Sequence, residues 1–353
     1  MEDKQLDKSQ KIIGLMSGVA LLAATGFVNS VSATELKIAH FVTPKNSYSK
    51  WIAGWAKELE AKSKGELKVK VFPGAQMGPP PKYYDIVRRG QADITWLVHG
   101  FTPGRFPLTE ISNLPYMVQS AEVGARMLND ATLRSKYLDK EHKGVKPLML
   151  WTHQPGVLHL AKKAVHRIED MKGLRIRFAS GPVKDMIKAL GATPVGMPPT
   201  QMAEAMQKGT IDGAFTDYVG AGMAFKLGPV TKYTTETYSY AVSFCLCMNN
   251  KSFAGLPANL KKLIDSSMIG REKEHGAAWD NFDSFAKKLM MKSGMKPIKL
   301  SAAEDKRFRA VSAKVVEAKL AVLEKKGLPA RAVHKMMAGL AAKHSKTSKN
   351  FWK

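Results

Sequence analysis

The stretch from Met171 to Asp217, MKGLRIRFASGPVKDMIKALGATPVGMPPTQMAEAMQKGTIDGAFTD, decides the fold. It reads as a strand, a Ser-Gly-Pro turn, a helix, a loop and a second helix, after which Gly209-Thr210-Ile211-Asp212 leads into another strand. In Leu174-Arg175-Ile176-Arg177-Phe178 apolar residues alternate with two arginines, the period-2 signature of a strand. A strand inside an α/β sheet is covered on both faces, so a guanidinium there is costly unless it lies at the strand end or meets an anion. Ser180-Gly181-Pro182 follows at once and reads as a helix start, which places Arg177, with Phe178 beside it, near the carboxyl end of its strand. Open α/β sheets bind their ligands at that edge. A planar fork of donors there suits a carboxylate.

The pattern has an earlier, fainter counterpart. Leu67-Lys68-Val69-Lys70-Val71 parallels Leu174-Arg175-Ile176-Arg177-Phe178, and Ile86 to Trp96 (IVRRGQADITW) parallels Ala205 to Phe215 (AMQKGTIDGAF). Each half thus offers strand, turn, helix, Gly-x-x-Asp, strand, and Trp96 and Phe215 take matching places. Any α/β chain repeats helix-Gly-strand to some degree. The sharper expectation is two similar α/β lobes facing each other across a cleft, each contributing an aromatic residue.

A chain of 353 residues is long enough for two domains with cores of their own. The formal charge of +25 is spread over the whole chain, with neither the basic stripe interleaved with exposed aromatics nor the reading motif expected of a nucleic-acid binder. The one dense basic run, Lys343 to Lys353, is expected to be a solvated, frayed terminus. At the other end Lys8 and Lys11 precede an uncharged run from Ile12 to Thr34, closed by Val31-Ser32-Ala33. This predicts a secretory signal over residues 1–33, cleaved after Ala33. An uncleaved anchor is the rival, since about 23 uncharged residues just span a bilayer. Cys245 and Cys247 are the only cysteines. Two apart on a strand, they face the same way at the outer limit of disulfide reach, so a buried pair of free thiols is expected.

Along the chain, Glu35 to Phe41 reads as a first strand, Ser47 to Lys64 as a helix ending at Gly65, and Lys146 to His153 as a strand broken by Gln154-Pro155-Gly156, where the chain crosses to the second lobe. Tyr238 to Met248 reads as one strand making the return crossing. Asn259 to Lys292 is free of proline, and as a single helix would be about 50 Å long, enough to lie across both lobes. Helices over Ala302–Lys326 and Ala330–Lys343 complete the chain. The expected architecture is α/β: a two-lobed periplasmic binding protein of two Rossmann-like domains, with a hinge and a long helix spanning both. The first lobe takes residues 34–154 plus 243–282, and the second 155–242 plus 283–353.

Several segments carry a family resemblance: Gly90-Gln91-Ala92-Asp93-Ile94, Leu114-Pro115-Tyr116, Met171-Lys172-Gly173-Leu174-Arg175-Ile176-Arg177, Ala189 to Pro194 (ALGATP) and Gln207 to Gly213 (QKGTIDG). In this order and spacing, over Glu35 to about Lys343, the chain resembles the extracytoplasmic solute-binding subunit of tripartite ATP-independent periplasmic (TRAP) transporters, the DctP family. The resemblance implies capture of a small organic acid in the periplasm by closure of two lobes. It also implies delivery to small and large membrane permease subunits driven by a sodium-ion gradient. Arg177 falls on the family's carboxylate-pairing arginine. The chain departs from the sialic acid and C4-dicarboxylate pattern, for Ala214-Phe215-Thr216-Asp217 stands where those members have Gln-Glu-Asn-Pro. Pro155-Gly156-Val157-Leu158-His159 stands where a second arginine is often found.

The candidate ligand-binding residues are Arg177, Asp217, Phe215, Trp96, Tyr218, His153, His99 and Phe178. Asp217 has three open roles: to pair with Arg177 in the empty protein, to cap a helix, or to accept from a ligand. A cleft holding Trp96, Phe215 and Tyr218 would favour an aromatic or branched apolar acid. His153, at the first crossing, and His99, three residues after Trp96, read first as hinge or structural histidines and second as ligand contacts. No cofactor and no metal-binding pattern is expected. Catalytic motifs such as Gly-x-Ser-x-Gly, His-Glu-x-x-His and the phosphate loop are missing from the sequence, and Asp93 and Asp212 stand at strand starts, where they suit turn capping better than acid-base work. The reading is therefore a binding protein and not an enzyme. A periplasmic sensor subunit that feeds a receptor is the alternative.

Overall fold

The computed structural model describes residues 33–352, so the signal segment expected over residues 1–33 lies, but for Ala33, outside the described residues. The first part of the chain runs β1 (Thr34–Ala39), α1 (Ser47–Lys62), β2 (Leu67–Phe72), α2 (Tyr83–Arg88), β3 (Ile94–Val98), α3 (Ala121–Leu128), the single turns α4 (Ala131–Leu133) and α5 (Asp139–Glu141), and β4 (Val145–Thr152). The middle runs β5 (Gly156–Leu160), β6 (Arg175–Phe178), α6 (Gly181–Ala189), β7 (Thr193–Gly196), α7 (Met202–Gln207), β8 (Gly213–Thr216) and β9 (Tyr233–Tyr240). The remainder runs β10 (Ser243–Asn249), α8 (Asn250–Gly255), α9 (Ala258–Ser266), α10 (Glu272–Lys292), β11 (Lys296–Ile298), α11 (Ala302–Lys325) and α12 (Ala330–His344). Among the described residues no helix is long and apolar enough to cross a membrane.

The strands form two mixed sheets of mirrored order, β2-β1-β3-β10-β4 and β7-β6-β8-β5-β9-β11. In each, the first three strands are parallel and the fourth enters antiparallel: β10 beside β3, and β5 beside β8. The fourth strand of each sheet is the chain continuation of the other sheet's fifth, because β4 runs into β5 and β9 into β10. Two strand-to-strand crossings therefore join the lobes, and α10 carries the chain across again between β10 and β11. The sequence from Tyr238 to Met248 is thus not one strand but the end of β9 and most of β10, in different sheets, parted at Ala241-Val242. An unbroken β-branched and aromatic run conceals such a break, because both sides want the same backbone.

The mirrored order corrects the sequence repeat. The counterpart of β6 is β1, the strand flanked on both sides by parallel neighbours, and not Leu67–Val71, which is edge strand β2. Side chains mark the equivalence. Asp93 Oδ2 accepts from the Lys37 backbone N–H at 2.8 Å, and Asp212 Oδ2 accepts from that of Arg175 at 2.8 Å. Each aspartate also donates its own N–H to the carbonyl of the same residue. Both acids lock the start of a parallel strand pair, the capping work expected of them, and Trp96 and Phe215 remain matched.

The expected 34-residue helix is two helices. Residues 267–271 break it, with Gly270 at φ +78°, a left-handed conformation that ends a helix at little cost for glycine alone. The second of the two, α10, is still about 32 Å long and packs on α3 at one end and on residues 220–230 of the second lobe at the other. Asp280 of α10 accepts the Ala121 and Glu122 backbone N–H groups at 2.8 and 3.0 Å, capping α3. At the end of the chain α11 packs on α6, whereas α12 packs on α3, so residues 330–344 sit against the first lobe although the sequence pattern groups them with the second. The basic tail is also docked and not frayed: Trp352 Nε1 donates to Tyr238 O at 2.9 Å, and the Phe351 N–H to Gln119 O at 3.2 Å. Two aromatic residues among the lysines outweigh the solvation of the charges.

Candidate functional site

Both sheets point the carboxyl ends of their central strands at one cavity. Its empty volume is about 850 Å³, part of it open to solvent, and it is lined mainly by apolar groups. From the first lobe come Trp96 on β3, Phe244 on β10, and Tyr48 and Trp51 in the first turn of α1, which the Asn46 side chain caps by accepting from Tyr48 N–H at 2.9 Å. Trp279 and Phe282 of α10 add a further wall. The rings brace one another. Tyr48 lies 4.2 Å from Trp96 edge-on, Trp96 is 5.5 Å from Phe244, and Phe244 stacks on Trp279 at 5.8 Å. Offset and edge-to-face rings at these separations make a rigid aromatic surface with little rotamer freedom to lose on binding.

The second lobe brings polar groups: Arg177 at the end of β6, Thr216 and Asp217 at the end of β8, and Tyr240 at the end of β9. Arg177 is buried, 2% exposed. Its Nε donates to Met197 O at 3.2 Å, and among the described residues no carboxylate lies within ion-pair distance of its guanidinium. Burial pushes its pKa down from the ordinary guanidinium value to about 10, Tyr240 offsetting this in part. Tyr240 is itself driven well above the ordinary phenol value, chiefly by burial and further by the Asp217 carboxylate. Asp217 does not pair with Arg177. Its Oδ2 accepts from the Gly220 N–H at 2.9 Å and caps the turn after β8, one of the three roles open to it. A cation without a counter-ion, deep in an apolar cavity, is costly unless an anion arrives.

Four of the eight sequence candidates line the cavity, namely Arg177, Asp217, Trp96 and His153. His153 offers only its ring face. Its Nε2 accepts from the Val242 N–H at 3.1 Å and its Nδ1 donates to Gln154 O, so the ring ties the two crossings together. The other four do not reach the cavity. Phe215 is fully buried behind Tyr240, edge-on at 5.4 Å. Tyr218 turns into the second lobe's own core, its hydroxyl donating to Glu236 at 3.0 Å. Phe178 packs over Gly196 of β7. His99, on the far side of its sheet, meets Ser243 Oγ and His142 Nε2, each at 3.0 Å. Phe215 and Phe178 each lie one position away from a cavity-lining residue of their own strand, and strand alternation reverses their direction. His99 and Tyr218 follow the ends of β3 and β8 and turn away from the cavity there.

Sequence reasoning missed Tyr48, Trp51, Tyr240, Phe244 and Trp279. A signal existed for the first two. Asn46-Ser47-Tyr48-Ser49-Lys50-Trp51 is a helix start directly after the carboxyl end of β1, the ligand edge of an α/β sheet. Nothing local marks Trp279, which reaches the cavity only because α10 lies across both lobes.

Loops of the two lobes touch at the cavity rim. A Cβ on Gly100, just beyond β3, would stand 2.4 Å from Ala179 O beyond β6. Only glycine allows that approach, and the lobes meet there in a closed arrangement.

Two hinged α/β lobes closed over a rigid aromatic pocket with one uncompensated cation define a two-lobed solute-binding protein. The model of DctP, the bacterial extracellular solute-binding protein family 7, matches residues 38–321, and the chain belongs to that family. Solved structures share the fold over nearly the whole described chain. A TRAP solute-binding protein from a marine metagenome, an unidentified microbe, specific for aromatic acids and crystallised with 3-hydroxybenzoate, is 31% identical with a TM-score of 0.83, covering 88% of this chain and 98% of its own. One from Rhodoferax ferrireducens with copurified benzoate is 30% identical, TM-score 0.81, covering 89% and 99%. One from Bordetella bronchiseptica with bound mandelate is 27% identical, TM-score 0.79, covering 88% and 99%. The family is one of solute-binding proteins and not of enzymes.

Proposed function

We propose that this chain captures an aromatic monocarboxylate between its lobes and delivers it to the membrane subunits of a TRAP transporter. The observation that carries the reading is the unpaired Arg177 guanidinium facing a cavity walled by Tyr48, Trp51, Trp96, Phe244 and Trp279. The carboxylate meets Arg177, with Tyr240 beside it, and the ring slides between the aromatic walls. A benzoate-sized ligand needs one cation and no second polar anchor, which fits the chain's lack of the second arginine and of the amide after β8. The proteins at 27–31% identity crystallised with benzoate, 3-hydroxybenzoate and mandelate support the same class. In this reading residues 1–33 are a signal removed on export, the protein works in the periplasm, and the first lobe comprises residues 34–154 plus 243–282. The test is a thermal-shift screen, since a ligand of the native state raises Tm. Benzoate, 3-hydroxybenzoate and mandelate are expected to raise it; succinate and galactonate are not. A shift with succinate or galactonate alone would contradict the proposal.

A further inference from the structure

The face of the first sheet that turns away from the ligand cavity carries a second cluster of chemically active groups. Along β10, Phe244 and Leu246 point towards the cavity side with Trp96 and Trp151, while Cys245 and Cys247 point to the other side with Leu97 and Leu150. There the two cysteines are joined in a disulfide, not free as the sequence suggests, and both are fully buried. Beside them stands His142, and its ring nitrogen and the two sulfurs all lie within 4.8 Å of one another. His99 Nε2 approaches His142 Nε2 to 3.0 Å. Phe106 closes the group off, its ring 4.8 Å from that of His99 and 4.7 Å from that of His142.

The outer nitrogens are held as metal-ligating imidazoles are held. His142 Nδ1 donates to Leu138 O at 2.8 Å, which leaves its Nε2 a bare acceptor aimed into the cluster. His99 Nδ1 meets Ser243 Oγ at 3.0 Å, and a hydroxyl accepts as readily as it donates, so His99 can carry its proton on Nδ1 and bare its Nε2 as well. Two nitrogens on one tetrahedral zinc stand about 3.3 Å apart, close to the separation seen here.

We propose that Cys245, Cys247 and His142, with His99 drawn in from its place beside His142 as the fourth donor, form a redox-gated site for zinc(II) or copper(I). Two thiolates and two imidazoles are the donor set such cations take in tetrahedral sites. The disulfide closes the site and reduction opens it. A dithiol reductant passes two electrons and two protons to the Cys245–Cys247 bond and is left as its own disulfide. Zinc(II) then displaces the two thiol protons to solvent and binds both sulfurs. The site lies one strand-width from the ligand cavity but shares no cavity-lining residue with it, so it is independent of the transported acid.

The test refolds the full chain from denaturant with excess dithiol reductant and zinc chloride, and separately oxidised without reductant, then passes each through metal-free buffer and measures zinc by atomic emission. The reduced chain is expected to retain stoichiometric zinc, and the oxidised chain and a Cys245→Ser/Cys247→Ser variant none. Cobalt(II) in place of zinc is expected to give thiolate-to-metal charge-transfer absorption. His99→Gln, which leaves both sulfurs in place, is expected to weaken zinc retention against a chelator at least about tenfold. Circular dichroism checks that each variant folds, and the cobalt spectrum of the unsubstituted chain serves should a variant fail to. A reduced chain that emerges metal-free, or zinc retained equally with the cysteines reduced, oxidised or replaced, overturns the proposal.

Discussion

Replacing Arg177 by methionine removes the charge and keeps most of the side-chain length, and its two effects have opposite signs. In the empty protein, burial takes the guanidinium pKa down from its ordinary value to about 10. That displacement corresponds to about 3 kcal/mol spent on keeping the cation folded away from water. Loss of the bond from Nε to Met197 O gives back about 1 kcal/mol of destabilisation. The empty variant should therefore be the more stable form by about 2 kcal/mol, a rise in Tm of a few degrees. With an acid bound the balance reverses. Removing one partner of a buried, hydrogen-bonded ion pair costs about 3–5 kcal/mol, a loss of roughly 150- to 4,000-fold in affinity. Differential scanning calorimetry without ligand and titration calorimetry with benzoate read the two terms separately. Benzoate affinity unchanged within a factor of about three would refute the role given to Arg177. A large fall in the empty variant's Tm would refute the claim that its charge goes uncompensated there.

Gly100→Val should leave the protein folded but hold the lobes apart, because its Cβ would meet Ala179 O at 2.4 Å; benzoate affinity is expected to fall at least about tenfold, and unaltered affinity in calorimetry would show that closure does not need this contact. Trp51, Trp96 and Trp279 line the cavity, so benzoate should change the intrinsic tryptophan emission, and Trp279→Phe should reduce that change; a spectrum unmoved at saturating benzoate would place the ligand elsewhere. His275 is held neutral by burial, its pKa pushed down to about 3. The unfolded chain protonates this residue below about 6.5 while the folded one does not, so its neutral form supports the fold above that pH and the support is lost as pH falls towards 3. The stability advantage of His275→Phe over the unsubstituted protein should accordingly grow as pH drops from 7 to 4, by up to about 1.4 kcal/mol per pH unit; parallel denaturation curves across that range would contradict it.

The segment Met171–Asp217 carried most of the fold because its signals are local. Arg177 betrayed itself as a charge inside an apolar alternation, and Asp93 and Asp212 as acids at strand starts. Direction was harder to read. Phe215 and Phe178 were placed on the right strands but one residue from the cavity-facing position, and a period of two turns such an error into the opposite face of the sheet. Tyr218 follows the end of β8 and turns into the second lobe's core. Long-range matters were not legible: the Ala241-Val242 break inside a continuous strand pattern, the approach of His142 to Cys245 and Cys247 across about a hundred residues, and the arrival of Trp279 from a helix crossing both lobes. Each depends on packing between segments distant in sequence. The internal repeat and the strand crossings pointed to two lobes, and the family resemblance agreed with them.

The central claim is tested most directly by a crystal structure of the chain grown with benzoate. The expected result is a carboxylate with both oxygens about 2.8 Å from the Arg177 guanidinium, and the ring enclosed by Tyr48, Trp96 and Trp279. Benzoate held elsewhere, with the Arg177 guanidinium hydrogen-bonded only to protein atoms, would contradict it.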